Sequence, residues 1–265
     1  MTAVILAAGR GGRLSGVAGE RPKCLARVGD CTLIERQIGA LRECGINDIT
    51  VVVGYHAADV QRICGAGITF VHNADYATTN SLYSLWLARE RLADGFVVLN
   101  CDVLFHRQLL TDLLTARYQD ALLMSPRQVG QQYGDEEMKV QVRCGRVVAI
   151  DKQLPDADAD GENIGIAKFG RDGAAVLVEE MSRLVATGAV REWLPRAFAA
   201  CSIRRPLHAI DNRGYPWIEI DYPDDYWRAC GEVLPAIEVI DARRHRSAAL
   251  QNAAVAGSGR TRHHV

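Results

Sequence analysis

The sequence has almost no net charge with which to attract a charged macromolecule. Its 31 lysines and arginines are balanced by 32 aspartates and glutamates, which gives a net charge of −1 at pH 7. It therefore lacks the basic field that draws proteins to nucleic acid or to a membrane surface. We expect small molecules as its partners, with no nucleic acid and no membrane.

The sequence also lacks long apolar runs and paired cysteines. It contains no stretch of about eighteen uncharged apolar residues, and no basic leader precedes the short apolar run at its N-terminus. Its eight cysteines are scattered, without a C-x-x-C pair or a histidine at zinc spacing. These absences predict a cytoplasmic protein whose cysteines are reduced core residues.

A glycine-rich loop near the N-terminus lacks the spacing of two common nucleotide-binding motifs. Residues 3–6 read as a short buried strand that opens onto Gly9, Gly11 and Gly12. Leu14 stands where the dinucleotide fingerprint needs its third glycine, and the Gly-Lys-Ser/Thr of a P-loop is absent. Such a loop could simply turn the chain, but free backbone amides beside Arg13 and Lys23 favour a site for polyphosphate.

Apolar runs alternate with amphipathic segments along most of the chain. Ile49–Val53 is a continuous β-branched run typical of a strand buried on both faces, and residues 33–44 have helical spacing. The alternation predicts an α/β fold with a mixed, mostly parallel sheet flanked by helices. We expect one domain over residues 1–234, with a small β-rich insertion at about 125–170, and a flexible tail over residues 235–265.

Carboxylates follow or lie within two of the predicted strands. Asp102 ends the apolar strand predicted at 96–102, where it could hold Mg²⁺ or simply form a turn or cap the next helix. Glu219 and Asp221 share one face of a later strand, which is costly unless a positive group lies beside them. A metal ion is the simplest such group.

Several other polar or aromatic residues have an ordinary structural explanation beside a functional one. Asn80 and Ser81 could cap a helix or contact a ligand at the carboxyl edge of the sheet. Lys152 could be a surface lysine or could bind a phosphate group. Trp193, on a helix predicted at about 190–201, is assigned to the core. Residues 128–137 form the best candidate for a lid.

Four segments of the chain resemble the nucleotidyltransferase family that makes sugar nucleotides and related activated compounds. They are residues 6–13 with Lys23, residues 73–81, Asp102, and residues 219–226. Together they are most similar to the cytidylyltransferases that act on small phosphonates or on phosphocholine. Residues 150–152 and 161–165 resemble the phosphonate enzymes in particular. The resemblance implies a Rossmann-like nucleotidyltransferase fold whose small β-rich subregion binds the acceptor.

The resemblance also implies roles for individual residues. Nucleotide binding is implied for Leu6, Ala7, Ala8, Gly9, Gly11, Gly12, Arg13, Asn80, Ser81 and Asp102. Lys23 and Arg13 would be catalytic, and the acceptor would be bound by Lys152 and Glu162. The ligands of a Mg²⁺ cofactor would be Asp102, Asp221 and Glu219.

The implied reaction is transfer of CMP from CTP to a small acceptor, with release of pyrophosphate. The acceptor would be a phosphonate of the phosphonoformate, 2-hydroxyethylphosphonate or 2-aminoethylphosphonate type, or a phosphorylated alcohol such as phosphocholine. Cys101 precedes Asp102 where sugar-specific members usually have glycine, which disfavours a sugar acceptor. Choline would need an aromatic cage, for which Trp193, Tyr215 and Trp217 are available.

Two other functions stay open on the sequence. One is a sugar 1-phosphate uridylyl- or thymidylyltransferase, and the more remote one is a non-catalytic nucleotide-binding module. The retained Lys23, Asp102 and Asp221 argue against the latter. A homodimer is also an open expectation.

Overall fold

The secondary structure alternates between strands and helices in a computed structural model that describes residues 1–14, 16, 19, 21–244 and 246. The strands are β1 (Thr2–Ala7), β2 (Arg27–Val28), β3 (Cys31–Thr32), β4 (Ile49–Val53), β5 (Ile68–His72), β6 (Phe96–Asn100), β7 (Val103–Phe105), β8 (Ala121–Pro126), β9 (Lys139–Arg143), β10 (Arg146–Asp151), β11 (Gly161–Phe169), β12 (His208–Asp211) and β13 (Trp217–Glu219). The α-helices are α1 (Leu33–Glu43), α2 (Ala57–Cys64), α3 (Ser81–Leu87), α4 (Arg107–Thr115), α5 (Arg171–Ala186), α6 (Leu194–Arg204) and α7 (Pro223–Arg228).

The first half of the chain forms a parallel sheet in the order β5-β4-β1-β6. Every residue of β1 and β4 is buried, as expected for β-branched strands covered on both faces. Because successive side chains of a strand point to opposite faces, Val4 and Leu6 join one core cluster while Ala3 and Ile5 join the other. Helices α3, α5 and α6 pack on the first face, and α1, α2 and α4 pack on the second.

The second half of the chain extends this sheet mainly with antiparallel strands. The full order is β5-β4-β1-β6-β11-β8-β12-β10-β9, and β9 also pairs with the start of β11, so the last five strands close on themselves. The mixed sheet that we expected is confirmed. It is less parallel than predicted, because β11 pairs antiparallel with both β6 and β8, and the hairpin of β9 and β10 adds further antiparallel pairs.

Two boundaries near the C-terminal end differ from the sequence prediction. Helix α6 begins at Leu194, not near residue 190, so Trp193 lies just before the helix and outside the core, with 43% of its surface exposed. The flexible tail was predicted from residue 235, but the chain stays helical over residues 234–244.

The extra helical segment is held by both apolar and polar contacts. Leu234 and Ile237 are buried in a cluster with Leu14 and Ile220, and Asp241 Oδ1 lies 3.3 Å from His106 Nε2. Weak periodicity hid this helix because only two of its apolar residues reach the core. Residues 247–265 of the predicted tail lie outside the described residues. No helix in the described part of the chain has the length and apolar composition needed to cross a membrane.

Candidate active site

A cavity of about 300 Å³ opens at the edge of the sheet where the parallel strands β1 and β6 end. The loop after β1 lines one side of the cavity, and Asp102, two residues beyond β6, lines its floor. Parallel neighbours bring their carboxyl ends to the same edge, which is where open α/β sheets bind ligands. The strand order thus brings together two of the segments predicted to form the site.

The glycine-rich loop after β1 approaches Lys23 very closely. Gly11 has φ of +64°, and a Cβ at this position would overlap Lys23 Cγ. Residues Gly12–Leu14 then form a short 3₁₀ turn, and the fully buried Leu14 anchors it in the core. Glycine is therefore required at position 11 both for the left-handed backbone and for the space that Lys23 occupies.

The ammonium group of Lys23 lies between two carboxylates in the cavity. Its Nζ is 3.6 Å from Asp102 Oδ2 and donates a short hydrogen bond to Asp221 Oδ1. Burial alone would lower the pKa of Lys23, but Asp102 and then Asp221 outweigh it, so the net effect is a raised pKa. Lys23 therefore carries a fixed positive charge in a site that is only 9% exposed at this residue.

A short antiparallel pair of strands, β7 and β13, brings Asp102, Glu219 and Asp221 together from distant parts of the chain. In the ladder of β7 and β13, Val103 faces Glu219, and the backbone N–H of Ile220 donates to the carbonyl of Asp102 at 3.0 Å. The Asp221 N–H is held by Asp225 Oδ2 at 3.1 Å. The predicted convergence of these carboxylates at the cavity is therefore observed.

Two of the three carboxyl groups have raised pKa values, which bears on the expected metal site. Burial, with help from Asp221, raises the pKa of Asp102 despite the opposing effect of Lys23, and burial beside Asp102 and Asp221 raises that of Glu219 well above its usual value. Among the described residues no group of three His, Cys, Asp or Glu side chains is arranged to hold a metal ion. The predicted three-carboxylate site is thus not preformed, because the Lys23 ammonium lies between two of its members.

Asp102 and Asp221 still fit a Mg²⁺ ion that is completed by substrate. Asp102 Oδ1 is buried and has no hydrogen-bond partner within the part of the chain that the structure describes. Mg²⁺ commonly uses one or two carboxylates together with substrate phosphates and water. Two carboxylates, one with an unpartnered oxygen, match that pattern better than the three ligands predicted.

The segment with Asn80 and Ser81, which was predicted to bind the nucleotide, also lines the cavity. Asn80 caps α3, because its Oδ1 accepts a hydrogen bond from the Ser81 N–H at 2.8 Å, yet both residues also line the cavity. The two explanations left open by the sequence are therefore compatible. The segment is tied to the chain just before α6: the Asn80 N–H donates to Val190 O at 2.9 Å, and the Leu194 N–H donates to Ser81 Oγ at 2.8 Å.

Lys152 and Arg13 share one carboxylate from the loop between β8 and β9. Glu136 Oε2 lies 2.7 Å from Lys152 Nζ, and its Oε1 lies 2.7 Å from an Arg13 guanidinium nitrogen. Hydrogen bonding to Lys152 and the charge of Arg13 lower the pKa of Glu136. Lys152 Nζ also lies 4.4 Å above the Trp193 ring. The predicted lid segment therefore reaches the cavity and joins the two cations assigned to nucleotide and acceptor.

Some predicted residues lie elsewhere, and some important ones were missed. Among the described residues, Ala7 and Glu162 do not line the cavity, whereas their strand neighbours Leu6 and Asn163 do, because successive side chains of a strand point to opposite faces. Of the three aromatic residues proposed for a choline cage, Trp193 alone lines the cavity. Tyr215 instead stacks on His106, and Trp217 packs against the core of the opposite face.

Asn163 was not predicted as a site residue and Glu136 was predicted only as part of the lid, although both line the cavity. Glu136 lies in a long loop whose direction the sequence does not reveal. Asn163 was visible as a polar residue within an apolar strand, a pattern that marks a buried amide in need of a partner.

Comparison with known proteins identifies the family. The model of the MobA-like NTP transferase domain matches residues 3–197 of the chain. The chain belongs to the MobA-like NTP transferase family. All the glycine-loop residues, Asp102 and Lys152 fall inside the matched region, whereas Glu219 and Asp221 follow it.

Cytidylyltransferases are among the relatives of this MobA-like domain. A choline-phosphate cytidylyltransferase from Streptococcus pneumoniae is 40% identical over 119 residues, which cover 44% of this chain and 52% of the relative. A CMP-5'-(3-aminopropyl)phosphonate synthase from Streptomyces rubellomurinus is 37% identical over 128 residues, 46% of this chain and 20% of the relative. The matches thus span about half or less of the length of these curated relatives.

A solved structure extends the likeness to most of the fold. The CTP:phosphocholine cytidylyltransferase from Streptococcus pneumoniae superposes with a TM-score of 0.70 at 25% identity, covering 86% of this chain and 97% of that one. The α/β nucleotidyltransferase fold predicted from the sequence is confirmed.

Proposed function

We propose that the protein is a CTP-dependent cytidylyltransferase that transfers CMP to a small phosphonate or a phosphorylated alcohol and releases pyrophosphate. The observation that carries the proposal is the position of Lys23 between Asp102 and Asp221 at the mouth of the glycine-rich loop. Relatives named for phosphocholine and for an aminopropylphosphonate support the nucleotide and the acceptor class.

Both reactants are anions, so the work of the site is to hold them together against their repulsion. The loop amides and Arg13 bind the triphosphate, while Lys152 binds the phosphonate or phosphate of the acceptor. Lys23 faces the α-phosphate and the incoming oxygen. An acceptor oxygen attacks the α-phosphorus in line, a new P–O bond forms, and the bond to the β-phosphate breaks to release pyrophosphate.

The reaction needs neither a covalent nucleophile nor a general base, because the acceptor oxygen is already ionised near neutral pH. Asp102 and Asp221 would hold Mg²⁺ together with the phosphates, and the ion would neutralise charge on the α-phosphate and the pyrophosphate. Magnesium, a cytoplasmic location and a homodimer all stay predictions.

Pyrophosphate release with each of CTP, UTP, dTTP and ATP tests the nucleotide. Each is combined with 2-aminoethylphosphonate, 2-hydroxyethylphosphonate, phosphonoformate, phosphocholine or glucose 1-phosphate. We expect turnover with CTP and a phosphonate or phosphocholine. Turnover with UTP or dTTP and glucose 1-phosphate alone would instead establish the sugar nucleotidyltransferase considered above.

A matched pair of lysine variants separates chemistry from folding. Lys23→Met should lower kcat by at least about 10³-fold, because it removes a charge that contacts the transferring group. Lys168→Met removes another buried lysine, whose Nζ donates to the carbonyls of Ala116 and Leu114 outside the cavity, and should leave kcat within about threefold. Equal losses in both variants would show that the effect of Lys23 is structural.

A further inference from the structure

Helix α1 carries a glutamine whose place in the core is not explained by packing. Gln37 is on the buried side of the helix and is only 1% exposed. Its Oε1 has no hydrogen-bond partner among the residues that the structure describes. A buried carboxamide oxygen without a partner is costly, and an apolar side chain of the same length would avoid that cost. The reason for an amide at this position must therefore lie in what its nitrogen binds.

The amide nitrogen of Gln37 holds both ends of the turn that carries Asp102. Its Nε2 donates to the carbonyl of Asn100, the last residue of β6, at 2.8 Å. It also donates to the carbonyl of Val103, the first residue of β7, at 2.9 Å. Cys101 and Asp102 form the turn between these two carbonyls. One buried amide group thus fixes the backbone on either side of Asp102.

The same helix also holds the turn that carries Lys23. Residues Lys23–Leu25 form a 3₁₀ turn, which is closed by a hydrogen bond from the Ala26 N–H to Lys23 O at 2.9 Å. The N–H of Leu33, the first residue of α1, donates to Ala26 O at 3.0 Å. A capping box fixes this end of the helix. Helix α1 therefore links the backbone of Lys23 to the backbone of Asp102.

We propose that Gln37 is a positioning residue for the transfer step, because it sets the place of the Asp102 carboxylate relative to the Lys23 ammonium. Asp102 Oδ2 and Lys23 Nζ lie 3.6 Å apart in the cavity, which both residues line. This inference rests on the proposed function, in which these two side chains act at the transferring group. It adds a residue of the core to those on which the reaction depends.

Loss of the amide should affect the chemical step more than substrate binding. Without Nε2, the carbonyls of Asn100 and Val103 lose a buried donor, so the turn between them is less firmly held. A misplacement of about 1 Å in an active site can cost about 10²-fold in rate. The glycine-rich loop and Arg13, which bind the triphosphate in the proposed function, belong to a different segment of the chain. The affinity for CTP should therefore change less than kcat.

The test compares wild type with Gln37→Met in the pyrophosphate-release assay, using CTP and the best acceptor of the screen described above. Methionine keeps the length of the side chain and removes both hydrogen bonds. We expect kcat to fall about 10- to 100-fold, while the KM for each substrate stays within about threefold. The Kd for CTP, measured by calorimetry, should also stay within about threefold.

Lys168→Met is the matched control for the loss of two buried hydrogen bonds. Lys168 is 4% exposed, and its Nζ donates to the carbonyls of Leu114 and Ala116 outside the cavity. Both variants should lower the urea unfolding midpoint, but only Gln37→Met should lose kcat. Comparable losses of kcat in both variants would show that Gln37 acts through stability alone and would overturn the proposal.

Gln37→Glu separates the hydrogen bonds from the shape of the side chain. Burial raises the pKa of a carboxyl group, and a protonated carboxyl can donate one hydrogen bond to these carbonyls. At about pH 6, kcat of Gln37→Glu should therefore exceed that of Gln37→Met by at least about threefold. Equal kcat values in the two variants would show that the donor is unimportant and would overturn the proposal.

Failure of this inference and failure of the proposed function give different results. A wild-type kcat in Gln37→Met would overturn the positioning role and leave the cytidylyltransferase activity intact. A raised KM for CTP with an unchanged kcat would also overturn it, because Gln37 would then act on nucleotide binding. Absence of turnover by the wild type with CTP and every acceptor would refute the proposed function itself.

Discussion

Removing Lys23 should make the protein less stable at neutral pH and should reverse part of that loss in acid. In Lys23→Met, Asp102 and Asp221 keep their positions but lose the ammonium between them. The methionine fills a similar volume, so the change is mainly electrostatic. The two carboxylates are left to repel each other in a partly buried site.

The size of the effect follows from how far the groups are buried. Breaking a fully buried ion pair by removing one partner costs about 3–5 kcal/mol. The side chains of Asp102 and Asp221 are each 19% exposed, so solvent screens part of their charge and we expect about 2–4 kcal/mol. With a urea dependence of about 2–3 kcal/mol per molar, the unfolding midpoint should fall by about 1 M.

The sign of the pH dependence can be worked out for Asp102. Burial and Asp221 raise its pKa while Lys23 lowers it, so its pKa should rise further in the variant. A carboxyl whose pKa is higher in the folded than in the unfolded protein favours folding when protonated. The stability of Lys23→Met should therefore recover, relative to wild type, as the pH falls from about 7.5 towards about 5.

Urea unfolding of wild type and variant at both pH values measures this effect. Glu219→Gln serves as the control, because burial and the neighbouring Asp102 and Asp221 raise the pKa of Glu219, so a neutral amide of the same shape removes no favourable partner of these two carboxyl groups. Its midpoint should change by less than about 0.3 M. Equal midpoints for wild type and Lys23→Met at about pH 7.5 would refute the electrostatic role of this lysine between Asp102 and Asp221.

Three further predictions test other parts of the structure. Gly11→Ala should lower both kcat and the urea unfolding midpoint, since a Cβ in the left-handed region costs about 1–2 kcal/mol and displaces Lys23. Gly12→Ala should have a smaller effect on both quantities, because a Cβ at this position meets open space. Lys152→Met should raise the acceptor KM about 10- to 100-fold in steady-state assays with little change in the CTP KM, and the opposite pattern would move Lys152 to the nucleotide. Burial lowers the pKa of His106, whose Nδ1 accepts a hydrogen bond from the Gln108 N–H at 3.1 Å. Stability should therefore be lost as the pH falls below the unfolded-state pKa of about 6.5. His106→Asn should reduce this dependence of the urea midpoint on pH, and an unchanged dependence would exclude this histidine as the cause.

The sequence predicted those parts of the site that depend on local chemistry. The glycine-rich loop and Asp102 follow the neighbouring apolar strands β1 and β6, and parallel pairing brings such ends to one edge, while Lys23 follows the loop closely in sequence. Asp221 could be predicted for a similar reason, because it lies close to a short strand whose alternation was visible. These residues could be predicted because a strand end and the carboxylates near it can be recognised from the local sequence alone.

The parts that could not be predicted depend on pairing between distant segments. Glu136 reaches Arg13 and Lys152 across a long loop, and no periodicity reveals where a loop points. The position of the Lys23 ammonium between Asp102 and Asp221 could not be predicted either, because the lysine and the second carboxylate come from opposite ends of the chain. Trp193 was assigned to the core because helix boundaries are uncertain by several residues.

The hydrogen bonds that join Asn80 and Ser81 to the start of α6 and the residues before it limit how segments can be exchanged between related enzymes. The bonded pairs are Asn80 with Val190 and Ser81 with Leu194, and the residues of each pair lie at least 110 positions apart in the sequence. A graft that replaces only the segment around Trp193 to obtain a new acceptor would therefore shift the helix cap at Asn80 that lines the cavity. Active chimaeras should exchange the two segments together, even though they are far apart in the sequence.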